Sequence, residues 1–244
     1  VLISAWAAHP AGASKAAITQ LVFLLGSQSL VVGDAAGRVT VWGRIGDPHV
    51  TGGMRWIHPR SFEGHAGPVT AIGVSPRDKQ FITGDQSGEL ILHHLTSHRT
   101  LAKRSEGAPI QAVAIAPKLD GVVTRVPGSL RRWVLQSPHP EVSWSSMFEK
   151  TWYEGYDQPA HVWQSTGGTD DFESKFGLVP LLLGTAKGTL YAMLFAIPVA
   201  VLAALYTALF MRPSIRQWLK PTVEVMAALP SVVIGFLAGL WLAP

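Results

Sequence analysis

The sequence predicts a mixed chain, antiparallel β-sheet units followed by a transmembrane α-helical hairpin, and three observations predict it. Short apolar runs punctuated by Gly, Asp and Pro recur about every 40 to 45 residues up to Gln136. Residues 188–210 then carry no charge between Lys187 and Arg212. At 1.5 Å of rise per residue such a helix is roughly 35 Å long, enough to cross the hydrocarbon of a bilayer. A second apolar run, residues 223–243, has Glu224 as its only charge. The predicted boundaries are 1–136 for the β units, 137–180 for a connector and 181–244 for two membrane helices.

Composition blends a soluble and a membrane portion: of 244 residues 48% are hydrophobic and 15% charged, with mean hydropathy +0.24. The absence of cysteine excludes thiolate metal sites, disulfides and cysteine nucleophiles, and is silent about compartment. The pI is about 9.5, but the basic residues before Pro138 are scattered singly, which argues against nucleic-acid binding. The chain starts at Val1 and stops at Pro244 within an apolar run, with no visible signal peptide, so a fragment of a longer chain is expected.

In the first region Leu30-Val31-Val32 leads through Gly33-Asp34-Ala35-Ala36-Gly37 to the alternating run Arg38-Val39-Thr40-Val41-Trp42. That is strand, turn, strand. The phrase returns as Gln80-Phe81-Ile82-Thr83, Gly84-Asp85-Gln86-Ser87-Gly88 and Glu89-Leu90-Ile91-Leu92-His93, and again, blurred, between Gly121 and Trp133. A second phrase repeats in step: Gly64-His65-Ala66-Gly67-Pro68-Val69 matches the stretch through Gly107-Ala108-Pro109-Ile110. The period is that of a four-stranded propeller blade.

These residues resemble the WD40 family. Gly64-His65 stands at that family's Gly-His dipeptide, Asp85 at its turn aspartate, and Trp42 and Trp133 at the closing position of the blade. The Trp-Asp dipeptide is missing, and His93 replaces the closing aromatic. Two to three blades are legible, too few to close a ring of four or more, so further blades are expected upstream. The resemblance implies a binding platform. His65 and Asp85 invite a catalytic-dyad reading, but a hydrogen-bonded pair holding one blade together is the favoured one, so His65, Asp85, Trp42 and Trp133 are read as structural. His93 and His94, neighbours in a strand, point to opposite faces and cannot share one ion with His98. No metal is expected.

The connector is acidic (Glu141, Glu149, Glu154, Asp157, Asp170, Asp171, Glu173) and dense in aromatics such as Trp144, Trp152, Tyr153 and Trp163. Such aromatics suit the headgroup zone, and the connector is read as lying on the membrane surface. Asp170-Asp171 is read as the cap of a short helix through Lys175, with cation binding the lesser alternative.

Residues 211–221, between the apolar runs, carry Arg212, Arg216 and Lys220 and no acid. By the positive-inside rule this stretch is expected to be a cytoplasmic loop, with connector and blades extracytoplasmic, periplasmic in a Gram-negative cell. Pro198 and Pro230 are expected to kink their helices, and small residues such as Ala203, Ala204 and Gly235 to let helices approach closely. Glu224 is read either as a helix-start acid after Pro221 or as an intramembrane functional group. Lys187 can snorkel to the interface or attract an anion.

The hairpin resembles the permease subunits of phosphate ABC importers, the PstC type, through Gly188-Thr189-Leu190-Tyr191, Ala196-Ile197-Pro198-Val199-Ala200 and Leu229-Pro230-Ser231-Val232-Val233-Ile234-Gly235-Phe236. The resemblance implies a multi-pass inner-membrane subunit moving phosphate by alternating access. Lys187, Thr189, Glu224 and Ser231 would be its candidate path residues. Implied partners are a second permease, a cytoplasmic ATPase dimer, a periplasmic phosphate-binding protein and the lipid bilayer. ATP would be used by the partner subunit, since no Walker glycine loop occurs here. The competing expectation is a membrane-anchored propeller serving as an interaction scaffold. An enzyme is not expected, because no nucleophile–base–acid set stands out.

Overall fold

The computed structural model describes residues 5–10, 12, 15–50, 52–228 and 231–242, without the side chains at 220, 226–228, 231, 232 and 242. The chain divides into two compact units, Val1–Leu182 and Leu183–Pro244. The first is a β-rich, propeller-type repeat domain; the second is helical, dominated by one long apolar helix.

Eleven strands build three antiparallel sheets in chain order. The first blade is β1 (Ile18–Phe23), β2 (Ser29–Asp34), β3 (Val39–Gly46) and β4 (Met54–Phe62); the second is β5 (Val69–Val74), β6 (Gln80–Asp85), β7 (Glu89–His94) and β8 (Arg99–Ser105). The third has three strands, β9 (Ala112–Ile115), β10 (Gly121–Val126) and β11 (Ser129–Val134), in the order β11-β10-β9. The turn chemistry explains the first two hairpins. Asp34 Oδ1 accepts from the N–H groups of Ala36 and Arg38, and Asp85 Oδ1 from that of Glu89 at 2.8 Å. Each turn closes on a glycine with positive φ, Gly37 at +81° and Gly88 at +92°, a region that L side chains rarely adopt.

Consecutive blades stack through two apolar layers. Val31, Val39 and Val41 meet Val69 and Phe81 between blades one and two; Ile82, Leu90 and Leu92 meet Ile110, Val122 and Val126 between two and three. Each interface repeats one knob-into-socket contact. A Cβ at Gly33 would lie 2.6 Å from Val69 Cγ1, and one at Gly84 2.7 Å from Ile110 Cγ2. The glycine is required there because a side chain at the start of the next blade, Val69 in β5 or Ile110 just before β9, fills the space.

The connector folds into this same unit. It contributes a short helix, α1 (Trp144–Phe148), capped by Ser143, and the two-stranded pair β12 (Trp163–Gln164) and β13 (Lys175–Phe176). Trp152 and Tyr153 are buried, Trp152 within the first inter-blade core, while Trp144 is largely exposed. The Arg60 guanidinium ties connector to blade by donating to the carbonyls of Leu95, Thr96 (2.8 Å) and Trp152 (3.0 Å). Connector acids turn inward as well: Glu154 pairs with Lys79, and Glu173 accepts from Thr96 Oγ1 and from the Glu154 N–H at 2.8 Å. Residues 170–171 form a turn rather than a helix start, because Glu173 is committed to Thr96 and Lys175 begins β13. Arg60→Met leaves three buried carbonyls without their donor and is expected to cost roughly 3 kcal/mol. A fall in the urea midpoint of the full chain in detergent checks this; an unchanged midpoint would contradict the clamp.

In the second unit, α2 (Val179–Leu209) is 31 residues of almost unbroken apolar sequence and runs through Pro198. It is the one helix among the described residues long and apolar enough to cross a membrane. Among the described residues no second helix reaches a membrane-spanning length. The cationic stretch expected as a loop is helical, since α3 (Pro213–Ala228) begins at Pro213, a residue pre-set for the first helical position. Of the second apolar run, residues 223–228 belong to α3 and residues 231–242 form α4 (Ser231–Leu242). Pro230 lies outside the described residues.

Candidate functional site

Strand register superposes the blades and shows which polar side chains recur. Thr83 and Thr124 share one position, occupied by Val32 in the first blade. Trp42, His93 and Trp133 share the position paired with the second strand, opposite Leu30, Phe81 and Val122. Position 65 corresponds to Glu106 in the third blade.

In the second blade these groups form a buried chain. His65 Nε2 lies 2.7 Å from Thr83 Oγ1, Thr83 Oγ1 lies 3.3 Å from His93 Nε2, and His65 Nδ1 faces Asp85 Oδ2 at 3.6 Å. The His65 and Asp85 side chains are fully enclosed, so no substrate reaches the pair. Burial lowers the pKa of His65, and that of His93 falls to about 3, so both rings are neutral and structural at physiological pH. His94 turns to Ser97 and His98 to the Ser61 carbonyl. In the third blade Trp133 Nε1 donates to Glu106 and to Thr124 Oγ1 (3.3 Å), and Arg131 pairs with Glu106 at 2.8 Å. Sequence reading missed Glu106, whose signal was its place before Gly107, where His65 stands before Ala66. In the first blade Trp42 Nε1 has no acceptor, because Val32 brings no hydroxyl.

His65, Asp85 and Glu89 also offer three donor atoms within 4.8 Å of one another, a set a cation could use and one that the sequence did not suggest. Both Asp85 oxygens already accept from Ser87 Oγ, and Oδ1 also from the Glu89 N–H, so the carboxylate is first a turn cap.

The third blade differs from the others on its outward face. Where the first two blades present Val31 and Ile82, Gly33 and Gly84, Val39 and Leu90, and Val41 and Leu92, the third presents Val123, Arg125, Leu130 and Arg132. An arginine thus replaces the socket glycine, and another replaces an aliphatic residue. The face is open, with Leu130 72% and Val134 78% exposed. At the other end of the array Trp6 stacks on Trp56 at 4.7 Å and Phe23 leans on Trp56. The cavity between blades two and three holds about 100 Å³ and is lined by Leu90, Leu92, Val122 and Trp133, well below the roughly 300 Å³ of small ligand pockets.

The residues expected to line a transport path lie in the helical unit. Lys187 lies over the Tyr191 ring, 5.7 Å from its centroid, and Thr189 sits on the same exposed helix. Arg212 lies in the bend before α3. Arg216 and Glu224 both face a groove of about 550 Å³ between α3 and the Ala200–Ala208 face of α2. Glu224 is in the fourth turn of α3 and Pro221 is inside it, so Glu224 is not a helix-start acid. Nothing is described of the Lys220 and Ser231 side chains.

No family model matches the chain. The chain is similar to the small ribosomal subunit protein RACK1y of Oryza sativa subsp. japonica, 30% identical over 125 residues, covering 43% of this chain and 37% of the rice protein. The chain thus spans little more than a third of that relative's length. It is also similar to the β-propeller domain of Cps50 (Swd1) from Myceliophteria thermophila, at 17% identity and a TM-score of 0.41 over 51% of this chain and 41% of that one. The phosphate-permease expectation is corrected by the first of these: the curated relative is a ribosomal subunit protein, not a transport subunit. The non-enzymatic expectation stands, as the relative is by name a ribosomal protein.

Proposed function

We propose that the chain is an interaction scaffold: propeller-type blades that present a binding face, tethered to a membrane by α2. The observation that carries this is the outward face of the third blade, whose arginines depart from the socket pattern of both inter-blade faces while three aliphatic side chains stay exposed. A surface shaped only to receive another such blade would keep the glycine; a polar and apolar mixture suits a different partner. Arg212, Arg216 and Lys220 follow α2, which favours blades on the non-cytoplasmic side.

The test is site-specific photo-crosslinking of the full chain in its native membranes. A crosslinker at Leu130 or Val134 is expected to yield discrete heavier adducts, and one at buried Ile91 none. Absence of adducts at both exposed positions would sink the scaffold reading.

A further inference from the structure

The first two blades each end on an outer strand: β4 lies along β3, and β8 along β7. The third sheet stops at β11, so among the described residues the slot that β4 and β8 fill elsewhere holds no strand. We propose that this slot accepts an extended, acidic segment of a partner protein, added antiparallel to β11 as a fourth strand. The proposal rests on the scaffold reading and names the partner's chemistry.

An edge strand presents unpaired N–H and C=O groups, and an added strand satisfies them while its side chains read the neighbouring surface. The inward side of β11 is already committed, with Arg131 paired to Glu106 and Trp133 held by Glu106 and Thr124. Specificity therefore falls to the outward side, where Leu130, Arg132 and Val134 alternate and Arg125 stands opposite Leu130. Arg104 lies 3.8 Å from the centroid of the Trp133 ring and adds a further cation nearby. Residues 121–134 contain three arginines and no acid. Opposite charges across strands stabilise a pair and like charges oppose it, so an acidic segment is selected over a basic one. The same rule argues against a second copy of this chain, because β11 laid antiparallel on another β11 brings Arg131 and Arg132 of the two copies together.

The test uses the full chain in detergent micelles and two synthetic octapeptides, one alternating Glu and Val, the other Lys and Val. The Glu–Val peptide is expected to slow amide exchange of residues 129–134 at least tenfold, and the Lys–Val peptide to leave it unchanged. R125E/R132E is expected to reverse that preference; it alters only exposed side chains and leaves the inward network intact. Protection in the peptide-free chain of those β11 amides that are not bonded to β10, whether constant or growing with protein concentration, would mean that the chain itself or a second copy fills the slot, and would overturn the proposal. So would equal responses to both peptides, or none. Adducts at Leu130 together with silent peptides would leave the scaffold standing and remove only the strand-addition inference.

Discussion

Gly88→Ala is expected to destabilise the blades by roughly 3–5 kcal/mol, and Gly128→Ala by only about 1–2 kcal/mol. Both glycines close a hairpin between the second and third strands of a blade, and both have positive φ, +92° and +77°. The cost of forcing an L residue into the left-handed region is therefore common to the two substitutions. They differ in what the new methyl meets. At Gly88 a Cβ lies 2.6 Å from the Ala108 carbonyl oxygen and 2.9 Å from its nitrogen, and neither backbone atom can swing aside like a flexible side chain. At Gly128 nothing lies within 4 Å. The excess cost at Gly88 thus measures how closely the second blade's turn is clamped against the chain entering the third. For a domain of this size, a loss of about 4 kcal/mol corresponds to a fall in Tm of roughly 8–16 °C. Thermal unfolding of the full chain in detergent checks it. Equal shifts for the two variants would mean that the blades do not clamp at this point.

Much of the blade architecture is legible in the sequence, because a half-buried strand writes its period into the chain and a tight turn demands Asp and Gly at fixed offsets. Leu30 to Trp42 and Gln80 to His93 show both, and the structure pairs them in the same register. Glu106 escapes, since an acid standing where His65 stands in the preceding repeat breaks the pattern that would have found it. The connector escapes for a different reason. Seven acids over a short stretch read as solvated surface, yet Glu154 and Glu173 are buried by partners far away in sequence: Lys79 is 75 residues from Glu154, and Thr96 is 77 from Glu173. No local pattern carries such pairings. Hydropathy in turn finds α2 but not α3, because Pro213 starts a helix that composition shows as a charged loop. The arginines of the third blade were visible all along as residues of an alternating strand. Only superposing three blades shows that Arg125 stands in a glycine's socket.

Acid should unfold the blades steeply, and His93→Phe should flatten that response. His93 is wedged between Phe62 and Phe81, with ring centroids 5.3 and 5.0 Å away, and burial holds its pKa at about 3. His94, turned to Ser97 on the opposite face of the strand, is held at about 4 by the same cause. In the unfolded chain both titrate near 6.5. Between pH 6.5 and about 4 the unfolded state therefore binds protons that the folded state refuses, so stability is full above 6.5 and is lost as pH falls through this window. Two such groups give a slope on the order of 2–3 kcal/mol per pH unit near pH 5. Glu173 acts in the opposite sense. Its pKa is raised by burial, so the folded chain takes up a proton that the unfolded carboxylate does not hold until lower pH. It cannot cancel two histidines. Phenylalanine at 93 keeps the ring stack, forgoes the contact with Thr83 and removes the unpartnered Nδ1. Stability at pH 7.5 should change by no more than about 1 kcal/mol, while the acid slope falls by about half. Urea midpoints between pH 7.5 and 4.5 measure both quantities. A slope identical in wild type and variant would show that His93 takes up its proton without unfolding the blade, and that the aromatic sandwich does not exclude charge.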